Sequence, residues 1–165
     1  MRYQTHIITS VAAGAYLTTV TDAPFTFTFV GGIIVGSLIP DIDEPNSYIG
    51  RRSFGIAKLI KKAFGHRGLT HSLLAWMCFS LIYYFYPNHF TYGLCAGYLF
   101  HIAGDFFSKR GVPLFSPIWK KKFKFLITYE TGKIGEKLIM LAAIFAIGYL
   151  VYTNQLYTQL FVQAP

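Results

Sequence analysis

Long runs of this sequence contain no charged side chain, and that pattern indicates whether the chain folds in water or in a lipid bilayer. Residues 23–40, 68–104 and 138–165 lack Asp, Glu, Lys and Arg altogether. Only 13% of the 165 side chains are charged and 53% are hydrophobic, whereas soluble domains carry roughly 25% charged residues. Because about 20 mainly apolar residues cross the hydrocarbon core of a bilayer as a helix, these runs predict membrane spans. The alternative is the buried helical core of a soluble protein.

Turn signals divide the chain into about five spans. Asp22-Ala23-Pro24, Pro40-Asp41 and Pro87-Asn88 each contain a residue pair that ends or begins a helix. The predicted spans cover residues 5–21, 24–40, 70–86, 90–106 and 137–153. The sequence therefore predicts an all-α fold, in which residues 1–165 form a single membrane domain built as a multi-pass helical bundle. Several of these segments are short, so they require tilt or local thinning of the bilayer.

The basic residues predict an orientation for this bundle. If the spans alternate in direction, Arg2 and the clusters at residues 51–67 and 109–137 all lie on one side. Since Lys and Arg accumulate in cytoplasmic loops, we expect a protein of the inner (plasma) membrane with a cytoplasmic N-terminus and an outside C-terminus. A cleaved signal peptide is an alternative for the first span. It is disfavoured because a second span follows almost at once and the basic loops share one side only if the first is retained.

Residues 53–64 predict an amphipathic helix that lies at the inner membrane surface. On a helix, Ile56 and Ile60 occupy one face and Lys58 and Lys61 another. A second basic and aromatic stretch follows at residues 119–125 on the same side. Both favour anionic lipid head groups as partners, although plain topological anchoring explains the lysines as well. Neither stretch resembles a groove-reading motif, so we expect no nucleic-acid partner.

Seven ionisable side chains lie at the predicted cytoplasmic ends of the spans. They are His6, Asp41, Asp43, His66, His71, His101 and Asp105. His101 and Asp105 are four residues apart, so a helix presents both on one face. Each residue alone could be an interfacial side chain or a turn former, but ionisable groups within spans are costly and usually mark function. His89 falls at the opposite end and is excluded from the set.

Imidazole and carboxylate groups together indicate a transition-metal site. This donor set suits zinc, manganese or iron better than calcium. Seven groups exceed the three or four protein ligands of one catalytic zinc, so the sequence is compatible with one ion or with two. The surplus groups would then orient the ligands or act as a base. We expect a divalent metal, with zinc first and manganese or iron as alternatives.

Three motifs resemble a known family. Residues 36–43 read GSLIPDID, residues 66–72 read HRGLTHS and residues 101–105 read HIAGD, with His6 upstream. Together they resemble the YdjM-type family of inner-membrane metal-dependent hydrolases. The resemblance covers about residues 1–120, and the fifth span carries no matching motif. The combination of the first two motifs is specific, whereas the third alone is weak. The His and Asp set also resembles, more loosely, that of zinc-dependent phospholipases C, which does not fix a substrate.

The resemblance implies that metal-activated water attacks an ester or phosphoester at the membrane surface. The metal ligands that it implies are His6, Asp41, His71, His101 and Asp105. Asp43 and His66 would be further ligands or acid–base groups. Arg67 and either Arg51 or Arg52 would hold a phosphate by forked hydrogen bonds.

Two other classes of function remain open at this point. The same cluster could bind or transport a metal without hydrolysis, but transport usually requires polar groups that continue through the bilayer. No charged residue lies in the outer half of any predicted span, which favours chemistry at the surface over conduction. The chain could also be a membrane scaffold whose basic face recruits a partner.

Overall fold

The fold is all-helical in the computed structural model, which describes residues 1–64 and 67–161. The α-helices are α1 (Tyr3–Val20), α2 (Phe27–Gly36), α3 (Ile56–Phe64), α4 (Leu73–Phe85), α5 (His89–Phe106) and α6 (Ile134–Thr153). Short 3-10 turns at Ile39–Asp43 and Leu69–His71 precede α3 and α4. Within the described ranges there is no β-strand, only isolated bridges such as the one between Val112 and Phe123. The predicted all-α class is therefore confirmed.

Three of the helices begin at hydroxyl or amide side chains that cap them. The Thr26 side chain accepts a hydrogen bond from the N–H of Phe29, and the Ser72 side chain accepts one from Ala75. Asn88 accepts from the N–H of Thr91, whose hydroxyl in turn accepts from the N–H of Asn88. These caps satisfy backbone donors that have no partner inside the helix, and so they fix where α2, α4 and α5 start.

The helices alternate in direction, as the sequence predicted. The backbone N–H of Arg2, at the start of α1, donates to Glu136 at the start of α6, so these two helices run parallel. Helix α4 runs antiparallel to α5, since the ring of Phe79 contacts that of Tyr98 and the ring of Tyr83 contacts that of Tyr92. The starts of α1, α4 and α6 therefore lie at the same end of the bundle as the last turn of α5.

Helices α2 and α5 pack closely through glycines, and they run parallel. Each helix carries two glycines four residues apart, Gly32 and Gly36 on α2 and Gly93 and Gly97 on α5. A Cβ atom at Gly36 would lie 2.1 Å from the carbonyl oxygen of Leu94, and one at Gly97 would lie 2.3 Å from that of Ile33. Small residues at this spacing allow two backbones to approach, as in helix pairs within membranes.

The structure corrects the prediction of five full spans. Of the described helices, α6 alone is both long enough and apolar enough to cross a membrane by length and composition. The second predicted span, residues 24–40, contains only the 10-residue α2. At 1.5 Å per residue α2 is about 15 Å long, half of the roughly 30 Å hydrocarbon core. The reason is that residues 22–26 are not helical and residues 37–43 turn, although none of residues 23–40 is charged.

The helix surfaces are apolar outside and partly polar inside. Of the 20 residues of α6 only Glu136 and Ala143 are buried, and no residue of α4 is. By contrast, the inward face of α1 includes Thr5, His6 and Ser10. This is the reverse of a soluble helix, whose apolar stripe faces the core, and it agrees with a lipid-facing exterior.

A helix is present where the sequence predicted the interfacial one, but it is shorter than expected, and its position at the membrane surface stays a prediction. It begins at Ile56 rather than at residue 53, because residues 53–55 form a turn in which Phe54 and Gly55 have positive φ angles. In this helix the side chain of Ala57 is buried, whereas those of Ile56 and Leu59 are exposed. On the second basic stretch, Trp119 is also exposed.

Candidate metal centre

A cluster of buried imidazoles and carboxylates lies where α1, α5 and the two 3-10 turns meet. Helix α1 contributes His6, α5 contributes His101 and Asp105, and the turns contribute Asp41 and His71. His6, His71, His101 and Asp105 are at most 1% exposed, and Asp41 is partly exposed. The five residues that the family resemblance implied as metal ligands are therefore brought together. Their role as ligands stays a prediction.

His101 is held by the end of α2. Its Nδ1 lies 2.6 Å from the carbonyl oxygen of Ser37, which can only accept a hydrogen bond, so Nδ1 carries the proton. The lone pair on Nε2 then faces the cluster, 3.3 Å from Nε2 of His71 and 3.8 Å from Oδ1 of Asp41. A histidine that donates its other ring N–H in this way is the usual arrangement of a metal ligand.

His71 is oriented by Thr70 and Asp43. Its Nδ1 lies 3.1 Å from the Thr70 hydroxyl and 3.4 Å from Oδ2 of Asp43. The Thr70 hydroxyl donates to that same carboxylate oxygen at 2.7 Å, so it accepts from Nδ1 of His71. Nε2 of His71 therefore points toward Asp41 and Asp105, each 3.7 Å away. Asp43, which the sequence suggested as a further ligand or an acid–base group, lies behind the imidazole ring of His71.

His6 supplies the observation that most favours a metal. Its ring stacks on that of His101 with 3.6 Å between centroids. Nε2 of His6 lies 3.4 Å from Oδ1 of Asp105, but neither ring nitrogen has a hydrogen bond of good geometry within the described part of the chain. A buried polar group without a partner is costly, and a bound cation is one way to satisfy it. The donor set present thus fits a divalent ion.

Asp105 joins the cluster to a buried arginine. Its Oδ2 lies 2.6 Å from Nη2 of Arg67 and within 4 Å of His71 and His101. Its Oδ1 accepts a hydrogen bond from the amino group of Met1 at 2.7 Å. Arg67 has a φ of 52°, uncommon for a residue other than glycine, and its backbone N–H donates to Asp43. Its Nη1 donates to Ser108, which leaves Nε without a hydrogen-bond partner among the described residues.

Asp41 is the solvent-facing member of the cluster. Burial disfavours its ionisation, but the imidazoles of His101 and His71 outweigh that effect and hold the pKa of the Asp41 carboxyl well below its usual value. Asp41 is therefore a carboxylate at neutral pH, which is the form that binds a cation.

The ligand atoms form two overlapping groups. One comprises His6, His101 and Asp105, the other comprises Asp41, His71 and His101, and the donor atoms within each group lie within 4.8 Å of one another. Because the groups share His101, the geometry is compatible with one ion that uses ligands from both or with two neighbouring ions.

The three arginines predicted to hold a phosphate lie in different places. Arg67 reaches the cluster, as described above, and Arg51 lines a polar cavity together with Asp41 and Arg67. Arg52, its alternative, instead donates to the carbonyl of Tyr48 and lies over that ring. His66, predicted as a further ligand or an acid–base group, lies outside the residues that the structure describes. Sequence reasoning missed Ser37 and Thr70, which orient the histidines; their positions beside the PDID and THS motifs were the only available signal.

The fold and the cluster together define a class: an all-helical protein with an apolar exterior and a buried histidine–aspartate centre. Comparison with known sequences then gives the family. The model of the YdjM inner membrane protein family matches residues 1–160, so the chain belongs to that family. The match extends beyond the 120 residues on which the sequence motifs rest and includes α6.

Individual relatives agree with that membership. The chain is 34% identical over 155 residues to inner membrane protein YdjM of Escherichia coli (strain K12) and, equally, of Shigella flexneri, covering 86% of this chain and 79% of each relative. It is also 32% identical over 124 residues to a Bacillus subtilis (strain 168) protein called uncharacterized protein YvsG, covering 72% of this chain and 74% of that one. No solved structure matches the chain.

Proposed function

We propose that this protein is a metal-dependent hydrolase of the inner membrane, which cleaves a phosphoester at the cytoplasmic face. The observation that carries the proposal is the convergence of three buried imidazoles and two carboxylates, in which Ser37 and Thr70 direct the Nε2 atoms of two histidines inward. A site built only for stability would pair His6, whereas here both of its ring nitrogens lack a hydrogen bond within the described segments. Zinc is the ion that we expect, with manganese or iron as alternatives.

The membrane placement rests on the surface of the bundle and on the family. Relatives are named inner membrane proteins, and α6 has the length and composition of a span. The alternating helix directions place the basic residues at the same end as the cluster. We therefore propose a multi-pass protein whose N-terminus is cytoplasmic and whose C-terminus is outside, with anionic lipids at the basic face. Helix α2 would enter the membrane only part of the way.

The residues of the candidate centre would have different roles in the reaction. A divalent ion at the cluster would supply a water of lowered pKa and stabilise negative charge on the substrate oxygens. The guanidinium of Arg67, beside Asp105, would hold a phosphate oxygen. Hydrolysis adds the hydroxyl of water to phosphorus and breaks the P–O ester bond, while the leaving oxygen takes up a proton. Asp43 would act through His71 by keeping that imidazole oriented.

Metal content and turnover of the purified protein test this proposal together. Wild type, His71→Ala, Asp105→Asn and the control His89→Ala would be purified in detergent and compared for bound zinc, manganese and iron. His89 lies at the opposite end of the bundle, at the start of α5. We expect metal in wild type and His89→Ala and little in the other two variants. The rate at which each variant hydrolyses a water-soluble phosphodiester should correlate with its metal content.

Each contrary outcome has a distinct meaning. Metal binding without turnover of any phosphoester would leave a metal-binding or metal-transporting protein, which flux into proteoliposomes would identify. Equal metal content in all variants would show that the cluster does not bind the metal, and it would favour a scaffold. Size-exclusion chromatography of each variant ensures that a loss of metal does not result from unfolding.

A further inference from the structure

Two cavities of opposite character adjoin the cluster, and Met1 lines both of them. One is a polar cavity of about 540 Å³, into which Asp41 and Arg67 face from the cluster. The other is an apolar cavity of about 720 Å³ between α1, α5 and α6, and it includes Gly104 and Tyr129. A metal site that sits between a polar and an apolar cavity is suited to a substrate that has one part of each kind.

The polar cavity is lined by more positive than negative side chains. Four arginines reach it, namely Arg2, Arg51, Arg67 and Arg110. Only two carboxylates, Asp41 and Glu44, line it, and Glu44 is paired with Lys61 at 2.8 Å. Arg51 and Arg110 make no side-chain hydrogen bond or ion pair with the rest of the described chain, so their guanidinium groups are available to an anion. This charge pattern is complementary to a phosphate.

A buried donor also points to an anionic ligand. Arg67 is only 6% exposed, and its Nε has no hydrogen-bond partner in the part of the chain that the structure describes. Its two terminal nitrogens are already engaged by Asp105 and Ser108. Leaving a guanidinium N–H unpaired at this depth is costly, and a ligand oxygen would satisfy it. Arg67 therefore connects the polar cavity to the cluster.

The apolar cavity approaches the cluster from the other side. At Gly104 a Cβ atom would lie 3.4 Å from the Cε of Met1 and 3.6 Å from the Nδ1 of His6. Because glycine has no side chain, this part of the cavity wall lies close to the histidine–aspartate cluster. Thr9 and Ala13 of α1, Phe100 and Ala103 of α5, and Ile139 of α6 continue the wall along the helices. The residues that line this wall are mostly apolar, which suits an acyl chain.

We infer that the substrate is a phospholipid, whose phosphate lies in the arginine-lined polar cavity and whose acyl chain lies in the apolar cavity between α1, α5 and α6. The inference rests on the proposed hydrolase function and adds two binding subsites to it. Transfer of a chain from the bilayer into an apolar cavity gains little, so the cavity positions the phosphoester at the metal centre. In water the same cavity should contribute roughly fourfold in affinity for each methylene group that it buries.

Binding of a lipid that cannot be hydrolysed tests the inference separately from catalysis. The probe is the dioctanoyl phosphonate analogue of phosphatidic acid, in which a carbon–phosphorus bond replaces the ester, and native mass spectrometry of the detergent-purified protein measures its affinity. The dibutanoyl analogue, inorganic phosphate and dioctanoylglycerol are the comparison ligands. We expect the dioctanoyl phosphonate to bind most tightly and dioctanoylglycerol, which lacks phosphate, to bind weakly.

The chain offers a matched control for each cavity. Arg51→Gln removes a cation from the polar cavity, whereas Arg52→Gln removes its neighbour, which lies over Tyr48 and does not line the cavity. Ala103→Trp fills the apolar cavity, whereas Ala142→Trp places the same ring on an exposed position of α6 that lines neither cavity. We expect Arg51→Gln to weaken the dioctanoyl phosphonate by roughly tenfold or more. Ala103→Trp should abolish the preference for eight-carbon over four-carbon chains, and both controls should bind as wild type does.

The results separate this inference from the proposed function. If Ala103→Trp has the same preference for eight-carbon over four-carbon chains as Ala142→Trp, no acyl chain occupies the apolar cavity and the inference is overturned. If Arg51→Gln weakens inorganic phosphate and the lipid equally while chain length has no effect, the ligand is a water-soluble phosphate. Metal content and turnover of the soluble phosphodiester report on the proposed function, because neither measurement requires a lipid.

Discussion

The candidate metal ligands depend on groups that orient the histidine rings without reaching the centre themselves. Thr70 is an ordinary residue by sequence, yet its hydroxyl lies between Nδ1 of His71 and the carboxylate of Asp43. Its backbone carbonyl also accepts a hydrogen bond from Tyr98 at 2.7 Å, which fixes the turn that carries it. Such outer groups set the tautomer and the angle of a ligand, and they are absent from any motif that names ligands alone.

Replacing Thr70 should therefore weaken metal binding without removing a ligand. We expect Thr70→Val, which keeps the volume and loses the hydroxyl, to lower zinc affinity by roughly 10- to 100-fold. Competition with a fluorescent chelator measures this. Thr19→Val is the control, because Thr19 is only partly buried and its hydroxyl donates to the carbonyl of Tyr16 in its own helix, away from the cluster. If both variants hold zinc as wild type does, Thr70 does not orient the site.

At the scale of elements, the pairing of α2 with α5 determines the position of His101. The close approach at Gly36 and Gly97 brings the end of α2 beside α5, and this places the Ser37 carbonyl 2.6 Å from His101. Ile33 and Phe29 of α2 are buried in the core that forms around this contact. Although α2 is short, it sets the register of the helix that carries two of the candidate ligands.

A methyl group at this contact should separate the helices. We expect Gly36→Ala to destabilise the protein by roughly 1–3 kcal/mol, since the new Cβ would meet a backbone carbonyl that cannot rotate away. Gly31→Ala is the control on the same helix, because a Cβ there meets nothing within 4 Å. It should be neutral or slightly stabilising, as alanine favours a helix. Thermal unfolding in detergent compares the two, and equal melting temperatures would contradict the role of the contact.

Of these elements, the sequence predicted some and not others. The i, i+4 pair His101 and Asp105 and the alternating directions were predictable, because helical periodicity and the side of the basic residues determine them. The length of α2 was not predictable. A run without charged residues indicates an apolar environment, but it does not show where a helix ends. Gly32 and Gly36 were visible at a helix-packing spacing, but nothing in the sequence named their partner helix. The cavities depend on distances between helices, which a linear pattern does not contain.

For the whole molecule, the proposed arrangement predicts that the basic face and the candidate metal centre share one side of the membrane. Single cysteines can be introduced at Lys121 and Asn154 after Cys78 and Cys95 have been replaced by serine. We expect a membrane-impermeant maleimide to label Asn154→Cys in intact cells and to label Lys121→Cys only after the cells are opened. The opposite pattern would invert the proposed orientation, and labelling of both in intact cells would exclude it.

Metal binding should also stabilise the whole molecule, because the candidate ligands come from distant parts of the chain. A ligand present at 100 times its dissociation constant adds about 2.7 kcal/mol to the free energy of unfolding. We expect a chelator to lower the melting temperature of wild type and added zinc to restore it. His71→Ala should melt at the same temperature with and without zinc. An unchanged wild type would mean that no tightly bound metal joins these helices.

The stacked rings of His6 and His101 have a consequence for biosynthesis. His6 leaves the ribosome almost a hundred residues before His101, so in the proposed multi-pass arrangement α1 is made before the helix that covers its buried histidine. If α1 inserts before α5 is made, the imidazole of His6 would lack this cover until α5 emerges, and an ionisable group without a partner is costly inside a bilayer.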